Sequence, residues 1–129
     1  MPQFELNKLV RDKLPEIYKS LGQEASIEKL SNLELSRALL DKLIEEASEI
    51  TPESSREEIL EEVADLQQVI DDFKAENNIT DEQVADARAN KKDKSGGFRK
   101  GMFVKTLIVP DGDNWVEYYR KDPEKYPEI

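Results

Sequence analysis

The chain has 129 residues, one domain's worth, and its 37% apolar and 37% charged residues with a mean hydropathy of −0.74 leave few side chains for a private core. Twenty-nine acids against nineteen bases give a net charge of −10, which disfavours a nucleic-acid polymer as partner. The absence of Cys and His excludes disulfides, zinc fingers, thiol nucleophiles, Ser-His-Asp triads and imidazole bases.

No window reaches the roughly 18 apolar residues a bilayer span needs. Met1-Pro2-Gln3-Phe4-Glu5 lacks the apolar stretch of a secretory signal, so a cytoplasmic protein with no membrane partner is expected. The thin supply of apolar residues points to long, half-wet helices or to burial against a partner subunit.

In chain order, the first helix is expected from about Arg11 to Leu21, with Pro15 in its first turn and Gly22 ending it. Gln23 to Leu30 reads as an extended linker or a minor strand. Ser31-Asn32-Leu33-Glu34 has the form of a capping box and opens a helix to about Ile50, stopped by Thr51-Pro52. Ser54 or Ser55 then starts a second long helix, running to about Glu76 before Asn77-Asn78. Thr80-Asp81-Glu82-Gln83 caps a third, which fades near Lys92 ahead of Ser95-Gly96-Gly97. Met102 to Val109 is rich in β-branched and apolar residues and reads as a strand. Pro110 to Asn114 reads as a turn, and Trp115 to Tyr119 as the return strand of a small C-terminal β-hairpin. The proline-broken tail after Lys121 is expected to be irregular unless it docks. The expected architecture is a single, mainly α domain over residues 1–129, an antiparallel helix bundle completed by oligomerisation.

Charge is segregated along the chain. Residues 41–72 hold twelve acids and two bases, and residues 88–105 hold seven bases and one acid. On a helix wheel Leu35, Leu39, Leu43, Ala47 and Ile50 share one arc, and Glu46 projects inside it with Glu49 at its edge. Ile59, Val63, Leu66, Ile70 and Phe73 form a stripe on the next long helix, bordered by Glu62 with Asp65 one step further round.

A short connection makes these helices antiparallel, so Glu46, Glu49, Glu62 and Asp65 should converge on one cleft. Four such groups repel one another and raise each other's pKa, a cost that a divalent cation removes. All-oxygen ligation suits Mg²⁺, or Mn²⁺, better than zinc. Glu57, Glu58 and Glu61 read as a solvated face. Lys92, Lys94 and Arg99 around Ser95-Gly96-Gly97 offer cations and glycine amides to phosphate oxygens. Trp115, Tyr118 and Tyr119 read as core or interface residues rather than base-stacking ones.

Glu45-Glu46-Ala47-Ser48-Glu49, then twelve residues, then Glu62-Val63-Ala64-Asp65 resembles the E-E-x-x-E…E-x-x-D signature of MazG-like all-α nucleoside-triphosphate pyrophosphohydrolases. Asn7-Lys8-Leu9-Val10-Arg11-Asp12-Lys13-Leu14-Pro15-Glu16 resembles the leader of a phosphoribosyl-ATP pyrophosphohydrolase-like branch, and Lys94-Ser95-Gly96-Gly97-Phe98 its closing glycine motif. The resemblance covers about residues 5–105, and the stretch from Pro110 onward extends beyond the minimal pattern.

What the resemblance implies is hydrolysis of a nucleotide substrate between its α and β phosphates, giving a nucleoside monophosphate and pyrophosphate, often to clear noncanonical nucleotides. It implies Glu46, Glu49, Glu62 and Asp65 as the Mg²⁺ ligands. Arg11, Lys13, Glu45, Lys92 and Lys94 are then residues that touch phosphate or orient the ligands. A homodimer or homotetramer with helices shared between subunits also follows. On physical grounds either Glu46 or Glu49 serves as the base that takes a proton from the attacking water. Two alternatives stand beside this: the same cleavage confined to phosphoribosyl-ATP in histidine biosynthesis, and a non-enzymatic acidic helical interaction module.

Overall fold

A computed structural model describes all of residues 1–129. The chain is α-helical with no strand, in five helices: α1 (Leu14–Ser20), α2 (Asn32–Ser48), α3 (Arg56–Glu76), α4 (Asp81–Ser95) and α5 (Asn114–Arg120). It divides into two compact units, Met1–Asn90 and Lys91–Ile129.

In the first unit α1 begins three residues later than the sequence suggests. Pro15 lies in its first turn, where a missing N–H costs nothing. Its end is a Schellman motif: Gly22 takes φ +74°, its N–H donates to the Lys19 carbonyl, and the Gln23 N–H donates to the Tyr18 carbonyl. Residues 23–30 form no element, so the minor strand is absent.

Although α2 starts where expected, the capping box at Ser31 is not made. The Ser31 side chain accepts no cap hydrogen bond, and Asn32 enters the helix at φ +54°. The left-handed residue turns the chain between the serine and the amides it was expected to cap.

The connection to α3 is short and internally bonded, the Thr51 N–H donating to Ser54 Oγ at 3.0 Å. Of the two registers open for the next cap, Ser55 is the one used: its Oγ accepts from the Glu58 N–H at 3.2 Å, and its own N–H donates to the Glu58 carboxylate at 3.3 Å. A second Schellman motif closes α3, with Asn78 left-handed and the Ile79 N–H donating to the Lys74 carbonyl.

The antiparallel pair α2 and α3 is the only pair of helices that pack together. Asn77 at the end of α3 donates to Ser36 near the start of α2 at 3.3 Å, which sets the register. Leu39 and Val69 are the only buried apolar residues of the whole chain. The face of α3 turned to α2 carries Glu62, Asp65, Leu66, Val69 and Phe73. Of the apolar stripe expected there, Leu66 and Phe73 are half-buried, whereas Ile59, Val63 and Ile70 lie on its flank and remain exposed. The face is therefore rotated toward the acids. Ala47, placed on the core arc of α2 by the wheel, is also exposed. Thr80 and Gln83 form the reciprocal cap of α4 at 3.1 and 2.9 Å, and α4 runs to Ser95, slightly past Lys92.

In the second unit the expected C-terminal β-hairpin is absent. The turn at Pro110–Asp113 forms, with Gly112 at φ +80° and the Asp113 N–H donating to the Pro110 carbonyl. Asp113 then caps a helix by accepting from the Trp115 N–H at 2.9 Å. Residues 115, 118 and 119 share one helical face, and their rings pack there with that of Tyr126 at centroid separations of 4.9 to 6.1 Å. That packing satisfies aromatic residues that the hairpin expectation places in a return strand. It also orders the tail, where Arg120 and Glu128 are paired at 2.7 Å. With the return strand lost, Met102–Val109 has no ladder to join and takes no regular structure.

Candidate metal centre

Near the connection between α2 and α3 the chain brings five carboxylates together. Oxygens of Glu45, Glu46 and Glu49 lie within 4.8 Å of one another, as do those of Glu46, Glu62 and Asp65, so Glu46 belongs to both groups. The cause is local. Glu46 in the last turn of α2 and Glu49, its C-cap residue, are three apart, Glu62 and Asp65 are three apart on α3, and the antiparallel pairing faces one pair against the other. All four acids singled out as ligands belong to this one cluster, and Glu45 joins it.

Glu46 sits deepest, only 8% exposed and the one buried charged residue of the chain. Its Oε1 is 3.3 Å from the ammonium of Lys42, which also reaches Glu45 at 3.5 Å. Lys8 is 3.2 Å from the other oxygen of Glu45, and Arg11 is 2.6 Å from Asp65. Lys8 holds the Glu45 carboxyl below the usual carboxylate range, chiefly through its hydrogen bond, and the Lys8 ammonium is raised in return. Glu62 behaves oppositely. Its Oε2 is buried with no hydrogen-bond partner, and the neighbouring carboxylate of Glu46, then desolvation, then Glu49 push its pKa from 4.5 to about 7. The cluster therefore holds a proton well above the range in which an isolated glutamate would.

Among the residues assigned to substrate, Glu45 and Arg11 are in the cluster or paired to it. Lys13 is the exposed N-cap residue of α1, and Lys92 and Lys94 are exposed in the last turn of α4, where none of the three is ion-paired. The sequence reading missed two cations, Lys8 and Lys42. Lys42 was legible, since it stands three and four residues before Glu45 and Glu46 and so on their side of the helix. Lys8 was not, because 37 residues separate it from Glu45.

The donor set fits a hard dication. Every donor is a carboxylate oxygen, the oxygens within each group of three lie close enough to share an ion, and Glu62 Oε2 is buried without a hydrogen-bond partner. Fold and site together define an acidic helical hairpin with a carboxylate cluster near its connecting loop. No family model, curated protein or solved structure matches the chain. No helix is long and apolar enough to cross a membrane.

Proposed function

We propose that the protein is a Mg²⁺-dependent pyrophosphohydrolase, cleaving a nucleoside triphosphate to the monophosphate and pyrophosphate, with clearance of noncanonical nucleotides as its role. The observation that carries the reading is the convergence of Glu46, Glu62 and Asp65 around a buried carboxylate oxygen with no partner. Glu46, Glu49, Glu62 and Asp65 would hold the metal; when bound, Mg²⁺, or Mn²⁺ in its place, supplies the charge that neutralises phosphate oxygens and acidifies water.

Glu49 is the exposed member of the four and suits the role of proton acceptor from the attacking water, with Glu46 as the alternative. Arg11 and Lys8 stand next to the acids, where a guanidinium and an ammonium can meet phosphate oxygens. Lys13, Lys92 and Lys94 remain substrate-contact candidates on charge alone.

Oligomerisation belongs to the same proposal. Ile44 and Leu60 are each 69% exposed, and Leu40, Val63 and Ile70 also face outward on the hairpin. A homodimer or homotetramer pairing this surface with that of a second copy would supply the core that one chain lacks.

A non-enzymatic acidic interaction module is the reading to beat, and it is favoured by the three cations that already partner Glu45, Glu46 and Asp65. A metal-supplemented screen of ordinary and modified nucleoside triphosphates, with phosphoribosyl-ATP included, reads out pyrophosphate and separates the two. Turnover that is lost in Glu46→Gln while the helical signal survives supports the enzyme. No pyrophosphate from any substrate, or full activity in that variant, removes it.

A further inference from the structure

The leader before α1 is tied to the acidic cluster from outside the hairpin. Lys8 meets Glu45 on α2 and Arg11 meets Asp65 on α3, so the two cations bridge both helices. Leu9 and Val10, between them, are half-buried, whereas residues 1–8 and Arg11–Lys13 are exposed. The backbone of α1, which follows, makes no close approach to another helix, although Leu14, Pro15 and Tyr18 on it are half-buried.

From this we infer that residues 8–11 form a strap whose two cations stand in for a dication at the mouth of the cluster, and that metal binding exchanges them and releases the leader. The inference rests on the metal-site reading above. Its physical basis is charge and exposure. Arg11 occupies Oδ1 of Asp65, one of the two oxygens a metal would draw on, and Lys8 occupies Oε1 of Glu45 beside Glu46, so a dication bound among these acids competes for the first and repels both cations. Both cationic side chains are largely in water, Arg11 at 62% and Lys8 at 44% exposure, and ion pairs of that kind are weak enough to be displaced.

Lys42 differs, being mostly covered and anchored on α2 itself three and four residues before Glu45 and Glu46, so its own helix keeps it beside the cluster when the strap leaves. A released Arg11 and Lys8 remain chained to the rim of the site, where they are free to meet an anion that arrives with the metal. The device would keep an empty acidic cleft neutralised and expose its cations only when the metal is in place.

Limited trypsin digestion tests this, since trypsin must take the Lys8 or Arg11 side chain into its own pocket. Cleavage after Lys8 and Arg11 is followed relative to cleavage after Lys121 in the second unit, with and without saturating Mg²⁺ and no nucleotide, alongside calorimetry of Mg²⁺ binding. The expected result is about fivefold faster relative cleavage in the leader once the metal is bound. Asp65→Asn without metal should give the loosened leader by itself, and Lys8→Gln should bind Mn²⁺ about two- to fivefold more tightly than the wild type. Calorimetry that shows binding while leader cleavage stays unchanged or slows overturns the strap and leaves the metal site standing. Calorimetry that shows no saturable binding removes both. Leader cleavage in Asp65→Asn equal to wild type also overturns the strap.

Discussion

Metal binding at the carboxylate cluster should release a proton, and the amount follows from one group. The Glu62 carboxyl titrates at about 7 in the folded chain because Glu46 and Glu49 face it and its Oε2 is buried, against 4.5 for the free side chain. At pH 6 such a group is about 90% protonated when folded, and at pH 8 about 10%. A carboxylate must lose its proton to ligate, so Mg²⁺ or Mn²⁺ should expel about 0.9 proton at pH 6 and about 0.1 at pH 8. The assay is titration calorimetry in buffers of different ionisation enthalpy, where the slope of heat against that enthalpy counts protons. Glu62→Gln should flatten the slope at pH 6.

The same shift sets the sign of the pH dependence of folding without metal. A raised carboxyl pKa favours the folded chain below 4.5, and the contribution is lost as pH rises through about 7. Metal-free stability should therefore fall across that window, and less steeply in Glu62→Gln. A buffer-independent heat at pH 6 in a chain that demonstrably binds the metal would refute the reasoning, because the cluster would then hold no shared proton.

Two further outcomes concern the scaffold. Leu39→Ala removes one of only two buried apolar side chains, both between α2 and α3, and should cost about 2–4 kcal/mol in urea unfolding at fixed protein concentration. A loss below about 0.5 kcal/mol would mean that the pair does not hold the hairpin. Asp113→Ala removes the side-chain cap of α5 and should weaken it by about 1 kcal/mol, seen as a smaller near-ultraviolet circular dichroism signal from the Trp115 and Tyr118 rings. An unchanged aromatic signal would show that ring packing alone sustains that helix.

Much of the hairpin could be read from the chain. Helix starts at Thr80 and at the Ser54-Ser55 pair, the stop at Gly22 and the spacing of Glu46 with Glu49 and of Glu62 with Asp65 are local features, set by capping chemistry and by 3.6 residues per turn. Ser31 shows the limit, since a capping pattern became a left-handed entry at Asn32 instead. The C-terminal region shows another. Trp115, Tyr118 and Tyr119 suit a strand by propensity, yet Asp113 and the reach of the Tyr118 and Tyr119 rings to Tyr126 made a helix of them, a packing decision outside any short window.

Sequence alone determined that Glu46 and Glu49 would share a side of one long helix and Glu62 and Asp65 a side of the next, because side-chain direction along a helix is set by position. Tertiary structure decided how far each helix rolled, turning Glu62, Asp65 and Val69 inward and leaving Ile59, Val63 and Ile70 outside. It also decided which cations arrived: Lys8 and Arg11 reach Glu45 and Asp65 across 37 and 54 residues, a closeness that only packing creates. The physical reason is that helical period fixes angles within an element, while roll, register and long-range charge pairing are settled between elements.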